Sequence, residues 1–274
     1  MIFVILGMHK SGTTLVSQML HQSGINMGEF ATDLSYDNGN TYERRATQAL
    51  NREILHGLLI PPLNYLLKRP FRSAYDPAGY PQNRDSVALV RHRALRRRLI
   101  HREPSKMQAL INQYENTYTD WGFKDPRTCL TYPAWQQQLP PHQVIVVYRH
   151  YDELLRRYQV SERNLPLLFR VLHGWTLYNM AVLKIIKDTA VPAITLSYEK
   201  LMQEDEELRR LSAFVGRTLV DTRDHTLYRN RTHCPDDLPS AIQWLLPLLP
   251  ADPREIYQQL DDQRDSECQS IPRC

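Results

Sequence analysis

Ile2-Phe3-Val4-Ile5-Leu6-Gly7-Met8-His9-Lys10-Ser11-Gly12-Thr13-Thr14-Leu15-Val16 opens the chain and decides how the rest is read. The apolar run at residues 2–6 predicts a strand buried on both faces. A loop with two glycines follows. Leu15, Val16, Met19 and Leu20 then recur at helical spacing until Gly24 supplies a stop. Strand, glycine loop and helix in that order form an anion site, because loop amides and the first helical turn aim N–H groups into one concavity.

The loop differs from the usual nucleotide-triphosphate loop, in which a lysine directly follows the second glycine. Here Gly7 and Gly12 keep the spacing, Thr13 takes the lysine position, and Lys10 lies inside the loop. The hydroxyls of Ser11, Thr13 and Thr14 remain able to donate to phosphate oxygens. A second buried strand is predicted over Gln143-Val144-Ile145-Val146-Val147-Tyr148, and it ends at Arg149. A magnesium-dependent enzyme of the phosphate-loop class would place an aspartate near such a strand end. A guanidinium binds an anion instead. The pattern therefore predicts a ligand with separate phosphate groups and no obligatory metal.

These segments resemble the PAPS-dependent sulfotransferases (PAPS being 3′-phosphoadenosine 5′-phosphosulfate). Lys10-Ser11-Gly12-Thr13-Thr14 is similar to their 5′-phosphosulfate loop, and Val146-Val147-Tyr148-Arg149-His150 to the motif that holds the 3′-phosphate. Trp121-Gly122-Phe123-Lys124-Asp125-Pro126-Arg127-Thr128 resembles a segment of bacterial members, and its K-D-P core also occurs in tyrosylprotein sulfotransferases. Trp175, Tyr178 and Asn179, and Leu196-Ser197-Tyr198-Glu199-Lys200-Leu201, resemble later segments. The likeness runs in order from residue 2 to about residue 216.

The resemblance implies a three-layer α/β fold of the P-loop sulfotransferase type, a central, mostly parallel sheet flanked by helices. It implies PAPS as co-substrate, no metal, and transfer of a sulfuryl group to a hydroxyl or amine of a glycan or small metabolite. Lys10, Ser11, Gly12, Thr13 and Thr14 would bind the 5′-phosphosulfate, Arg149 the 3′-phosphate, and Tyr198 would lie near the adenine. Lys10 and Lys124 would stabilise charge at the reacting group, and Arg127 would bind donor or acceptor. Glu43 is the carboxylate placed to take the acceptor proton, or else it caps a helix or pairs with Arg44 or Arg45. His9, beside the loop, is a second base candidate. The family motif carries proline two residues and serine eight residues after its arginine, where this chain has Tyr151 and Arg157. Arg157 either replaces the serine with a charge-assisted contact or faces solvent beside Arg156. A non-catalytic nucleotide-binding member and a metal-dependent kinase are the alternatives.

Composition sets the outer limits. With 274 residues, 42% hydrophobic and 23% charged, the chain can bury one substantial core, so residues 1–274 read as one domain. A net charge of +4 suits an anionic donor but falls short of a nucleic-acid-binding signature. No apolar run reaches the roughly 18 residues of a membrane span, and the first run lacks the flanks of a signal peptide. Cys129, Cys234, Cys268 and Cys274 show no metal-type pairing and read as reduced thiols of a cytoplasmic protein.

Along the remaining chain, a helix is expected through Leu50, Ile54 and Leu58, then an insertion at about residues 60–110 beside the acceptor cleft. Residues 86–108 read as a helix carrying an arginine run, a solvated face or a track for an acidic acceptor. A long helix is expected over residues 165–188, with Trp175 and Tyr178 as core, and a third buried strand over residues 191–196. Residues 204–215 read as an amphipathic helix closed by Gly216, and residues 251–274 as a polar tail that frays.

Overall fold

The computed structural model of the chain describes residues 1–30, 41–56, 58–60, 89–90, 103–161, 163–228 and 240–270. The chain runs β1 (Ile2–Leu6), α1 (Thr13–Gln22), α2 (Arg45–Ile54), β2 (Leu59–Ile60), β3 (Leu89–Val90) and α3 (Pro104–Thr117). It continues through β4 (Trp121–Lys124), α4 (Thr128–Trp135), β5 (His142–Tyr148), α5 (Tyr151–Arg157) and α6 (Leu165–Asp188). The last elements are β6 (Ala193–Ser197), α7 (Tyr198–Gln203), α8 (Asp205–Val215), α9 (Ser240–Leu245) and α10 (Pro253–Ser270).

Four strands form one parallel sheet in the order β4-β1-β5-β6. β1 is apolar at every position because helices cover both faces of the sheet. Ile2, Val4 and Leu6 enter one core with residues of α2, α3, α4, α6, α9 and α10. Phe3 and Ile5 enter a second core with residues of α1, α7 and α8. Alternation thus survives within a continuous apolar run, each side chain going to the opposite layer. Burying a residue of this kind contributes about 1.5–3 kcal/mol relative to leaving it exposed, so β1 is the centre of the energetics as well as the topology.

This is the α/β architecture expected, with a parallel sheet between helical layers. Chain order reverses around β1, with β4 on one side and β5 on the other. The loops after β1 and β5 therefore leave side by side at the carboxyl end, where open α/β sheets bind ligands.

Two local expectations are corrected. Leu89–Val90 is a strand antiparallel to β2, not part of a helix, and α3 begins at Pro104, a residue suited to the first helical position. Residues 61–88 and 91–102, with most of the insertion and the arginine run, lie outside the described residues. Trp121–Lys124, for which the sequence predicted no element, forms an edge strand of the sheet. The polar C-terminal stretch forms α10, whose Ile256 and Leu260 are buried in the core. Cys129 and Cys268 carry free thiols, while Cys234 and Cys274 lie outside the described residues. Among the described residues, no helix is long and apolar enough to cross a membrane.

Candidate active site

The glycine loop is shaped by close packing. A Cβ on Gly7 would come within 2.4 Å of the Val147 carbonyl oxygen on β5. Gly12 has φ +98°, and a Cβ there would lie 2.1 Å from the Tyr198 ring. Only glycine fits either place. Lys10 also adopts a positive φ, at 65°. The Ser11 amide and hydroxyl both donate to the Met8 carbonyl, at 3.2 and 2.7 Å, so that side chain closes the turn. Below the loop, the Gly7 amide donates to the Cys129 Sγ at 3.1 Å. Burial pushes the Cys129 thiol up to about 12, leaving it a neutral core group. Gly12 is the N-cap of α1, with no side chain capping the helix, and its carbonyl accepts from the Leu15 amide at 3.0 Å and the Val16 amide at 3.4 Å.

Arg149 lies against this loop. Its Nη1 donates to the Lys10 carbonyl at 3.3 Å, and its guanidinium carbon sits 4.1 Å from the centre of the Tyr198 ring. Glu153 and Glu199 flank it at 3.5 and 4.0 Å. Trp175 Nε1 donates to the Arg149 carbonyl at 2.9 Å, and the indole and Tyr178 are buried in the core. Lys10 Nζ lies 5.3 Å from the centre of the Tyr158 ring. Its pKa is lowered by burial, then by the neighbouring charges of Arg157 and Arg149. Arg157 itself is exposed at the end of α5, while Arg156 pairs with Asp152 and Glu153. Three cations thus meet at one side of the loop.

On the other side, Lys124 at the end of β4 is buried and reaches three oxygens. Its Nζ donates to Thr14 Oγ1 at 3.1 Å, to the Thr41 carbonyl at 2.6 Å and to Glu43 Oε1 at 2.7 Å. Gln48 holds the second oxygen of Glu43. Glu43 therefore neither caps α2 nor pairs with its neighbours in sequence; it faces Lys124 beside the loop. Asp125 turns away from Lys124. It binds Arg127 Nη1 at 2.6 Å and Asn51 Nδ2 at 2.8 Å, and both charges are buried. Asn51 also accepts from Thr131 Oγ1 and Trp135 Nε1, at 2.7 and 2.8 Å. Arg127 therefore belongs to a buried structural network.

His9 is partly exposed at the loop, yet its Nε2 is buried without a hydrogen-bond partner among the described residues. Burial, then the charges of Arg127, Lys124, Lys10 and Arg52, lower its pKa well below the usual value, so it is neutral near pH 7. The sign follows by linkage. The unfolded chain takes up this proton below about pH 6.5, and the folded protein does not until lower pH. His9 therefore contributes stability that is present above that pH and is lost as pH falls through the folded pKa. His21 and His142 are shifted in the same direction, chiefly by burial. Urea midpoints at pH 7.5 and 5.5 are expected to show a drop on acidification that is smaller, but not abolished, in His9→Gln.

The structure thus gathers Lys10, Gly12, Thr13, Thr14, Lys124, Glu43, His9, Arg149 and Tyr198 around one loop. Gln48 and the Thr41 carbonyl are groups at the loop that the sequence did not reveal, since nothing in their local spacing distinguishes them from surface polar residues; Glu199, in the segment already singled out, was not read as one.

A profile described as the sulfotransferase family matches residues 2–221, and the chain belongs to that family. Among solved structures, it is similar to the "Sulfotransferase Domain from the Curacin Biosynthetic Pathway", at 14% identity and TM-score 0.46, covering 100% of this chain and 92% of the other. It is also similar to the "Sulfotransferase Domain from the Synechococcus PCC 7002 Olefin Synthase", at 18% identity and TM-score 0.37, covering 99% and 95%. No curated protein matches it.

Proposed function

We propose that the chain transfers a sulfuryl group from PAPS to a hydroxyl or amine of a glycan or small-molecule acceptor. The observation that carries this reading is the convergence of Lys10, Lys124 and Arg149 on one glycine loop at the carboxyl end of a parallel sheet. Thr13, Thr14 and the amides of the first turn of α1 would take the 5′-phosphosulfate, with Ser11 shaping the loop. Arg149, with Arg157 at the rim, would take the 3′-phosphate, and Tyr198 would support both Gly12 and Arg149 from below.

In the reaction, the acceptor oxygen or nitrogen forms a bond to sulfur as the bond from sulfur to the bridging phosphate oxygen breaks. The acceptor proton passes to Glu43, with neutral His9 as the second group within the site able to accept it. The bridging oxygen leaves with PAP (3′-phosphoadenosine 5′-phosphate), and its growing negative charge is stabilised by Lys10 and Lys124.

Calorimetry tests the donor assignment. PAP is expected to bind in the presence of a chelator and to bind more tightly than AMP, which lacks the 3′-phosphate. Arg149→Ala is expected to weaken PAP by about 30-fold or more, the cost of removing a buried charged partner. Arg157→Ala, at an exposed site, is expected to weaken it by less. Equal affinity for PAP and AMP, or binding only with a divalent ion, contradicts the assignment.

A further inference from the structure

We propose that the C-terminal helix α10 positions Arg149, so that Tyr257 and Asp261 act on donor binding without touching the donor. This rests on the donor reading above. The family match ends at residue 221, yet α10, at residues 253–270, packs directly on β6 and α6. It does so through polar contacts as well as apolar ones.

The grip falls on both neighbours of Arg149. On one side, the Tyr148 hydroxyl donates to Asp261. On the other, the His150 ring meets the Tyr257 ring edge to face, with centres 4.6 Å apart. Tyr257 also lies 5.8 Å from the Tyr148 ring, so one α10 side chain touches residues before and after the arginine. The His150 backbone amide donates to Glu199 Oε1 at 3.0 Å, and the same carboxylate flanks the Arg149 guanidinium. Burial, then the charges of Glu199 and Asp261, raise the Tyr257 pKa, which sets its hydroxyl among these acids as a neutral group.

Farther along α10, Glu267 accepts from the Thr195 amide at 2.7 Å and from its hydroxyl at 2.9 Å. β6 is the outer strand of the sheet among the described residues, so Glu267 occupies a backbone donor that an edge would otherwise expose. Arg264 and Arg210 both pair with the fully buried Glu207 of α8. The helix is therefore fixed in register on the sheet, and Tyr257 and Asp261 are presented to the turn after β5. Arg149 stands between two residues that are each held from α10. Its direction towards Lys10 is set by that hold.

Loosening the hold should change donor affinity more than turnover. PAP binding by calorimetry, steady-state kinetics with PAPS, and amide exchange at His150 are measured in Tyr257→Ala, Tyr257→Phe and Asp261→Asn. Tyr257→Ala is expected to raise the PAP Kd and the PAPS KM about tenfold, with kcat within about twofold and His150 exchange faster by a similar factor. Tyr257→Phe, which keeps the ring, is expected to restore wild-type affinity, and Asp261→Asn to give a smaller shift in the same direction. In an Arg149→Ala background the Tyr257→Ala effect on PAP should vanish.

Folded Tyr257→Ala with unchanged PAP affinity, or an equal loss with and without Arg149, overturns the proposal. So does unchanged His150 exchange, which needs no ligand. If Tyr257→Ala does not fold, the same comparisons are decided by Asp261→Asn. Wild-type protein that fails to bind PAP, but whose His150 exchange responds to Tyr257→Ala, would leave α10 holding the turn and place the fault in the donor assignment.

Discussion

Lys124→Met is expected to lower the rate of sulfuryl transfer by about 10²–10³, the range found when one preorganised donor to a developing anion is removed. Lys124 is suited to this role because its ammonium is already in place. It is buried at the end of β4, between Thr14 of the loop, the Thr41 carbonyl and Glu43. No water shell has to be stripped from it during the reaction, and its charge acts where solvent screening is weak. Its contacts also explain why the loss should fall on kcat more than on donor affinity. Lys10 and Arg149 contribute binding from the other side of the loop and remain in the variant. The measurement is the release of PAP from PAPS under single-turnover conditions, beside calorimetry of PAP. A Lys124→Met protein that binds PAP normally and turns over at the wild-type rate would remove Lys124 from the chemistry.

The largest effect on stability is expected at Asp125, although sequence alone could have assigned that carboxylate to either neighbouring cation. Asp125→Ala should destabilise the fold by about 3–5 kcal/mol, the usual cost of breaking a buried ion pair on one side. Arg127 would be left buried without this partner, and Asn51 would lose one of its acceptors. Asn51 links α2 to Thr128, Thr131 and Trp135 of α4, so the damage would spread between two helices that frame the site. Denaturant unfolding checks this. A loss below about 1 kcal/mol would mean that the network relaxes around the missing carboxylate. Asp125→Asn should cost less, since it keeps a side-chain oxygen for Arg127.

Much of the fold was legible because it is written in long or continuous patterns. β1, β5 and α6 bury apolar residues at the periods their backbones impose, and Gly216 closes α8 in the left-handed conformation its sequence position implies. β4 and α4 were not legible. β4 is a four-residue strand containing a glycine, and α4 is a two-turn helix with Pro133 inside it. In both, tertiary contacts decide what local propensity does not. α10 was read as a fraying tail because its apolar residues are sparse, while much of its attachment is polar, through Asp261, Arg264 and Glu267.

The site shows the same division. The loop and Arg149 could be read from adjacent residues, because each sits at the end of an apolar strand. The pairing of Lys124 with Glu43 joins positions 81 residues apart. Nothing in the sequence says that Glu43 will meet Lys124 while Asp125 turns to Arg127. Hydrogen-bond partners of the second kind are properties of the assembled sheet and helices.

The most direct test of the central claim is a crystal structure of the wild-type protein with PAP, grown in the presence of a chelator. The account predicts the 5′-phosphate in the loop at residues 7–14, against the amides at the start of α1 and Lys10, and the 3′-phosphate on the side of Arg149. PAP bound elsewhere, or a loop closed over its own amides with Arg149 still committed to Glu153 and Glu199, would contradict it.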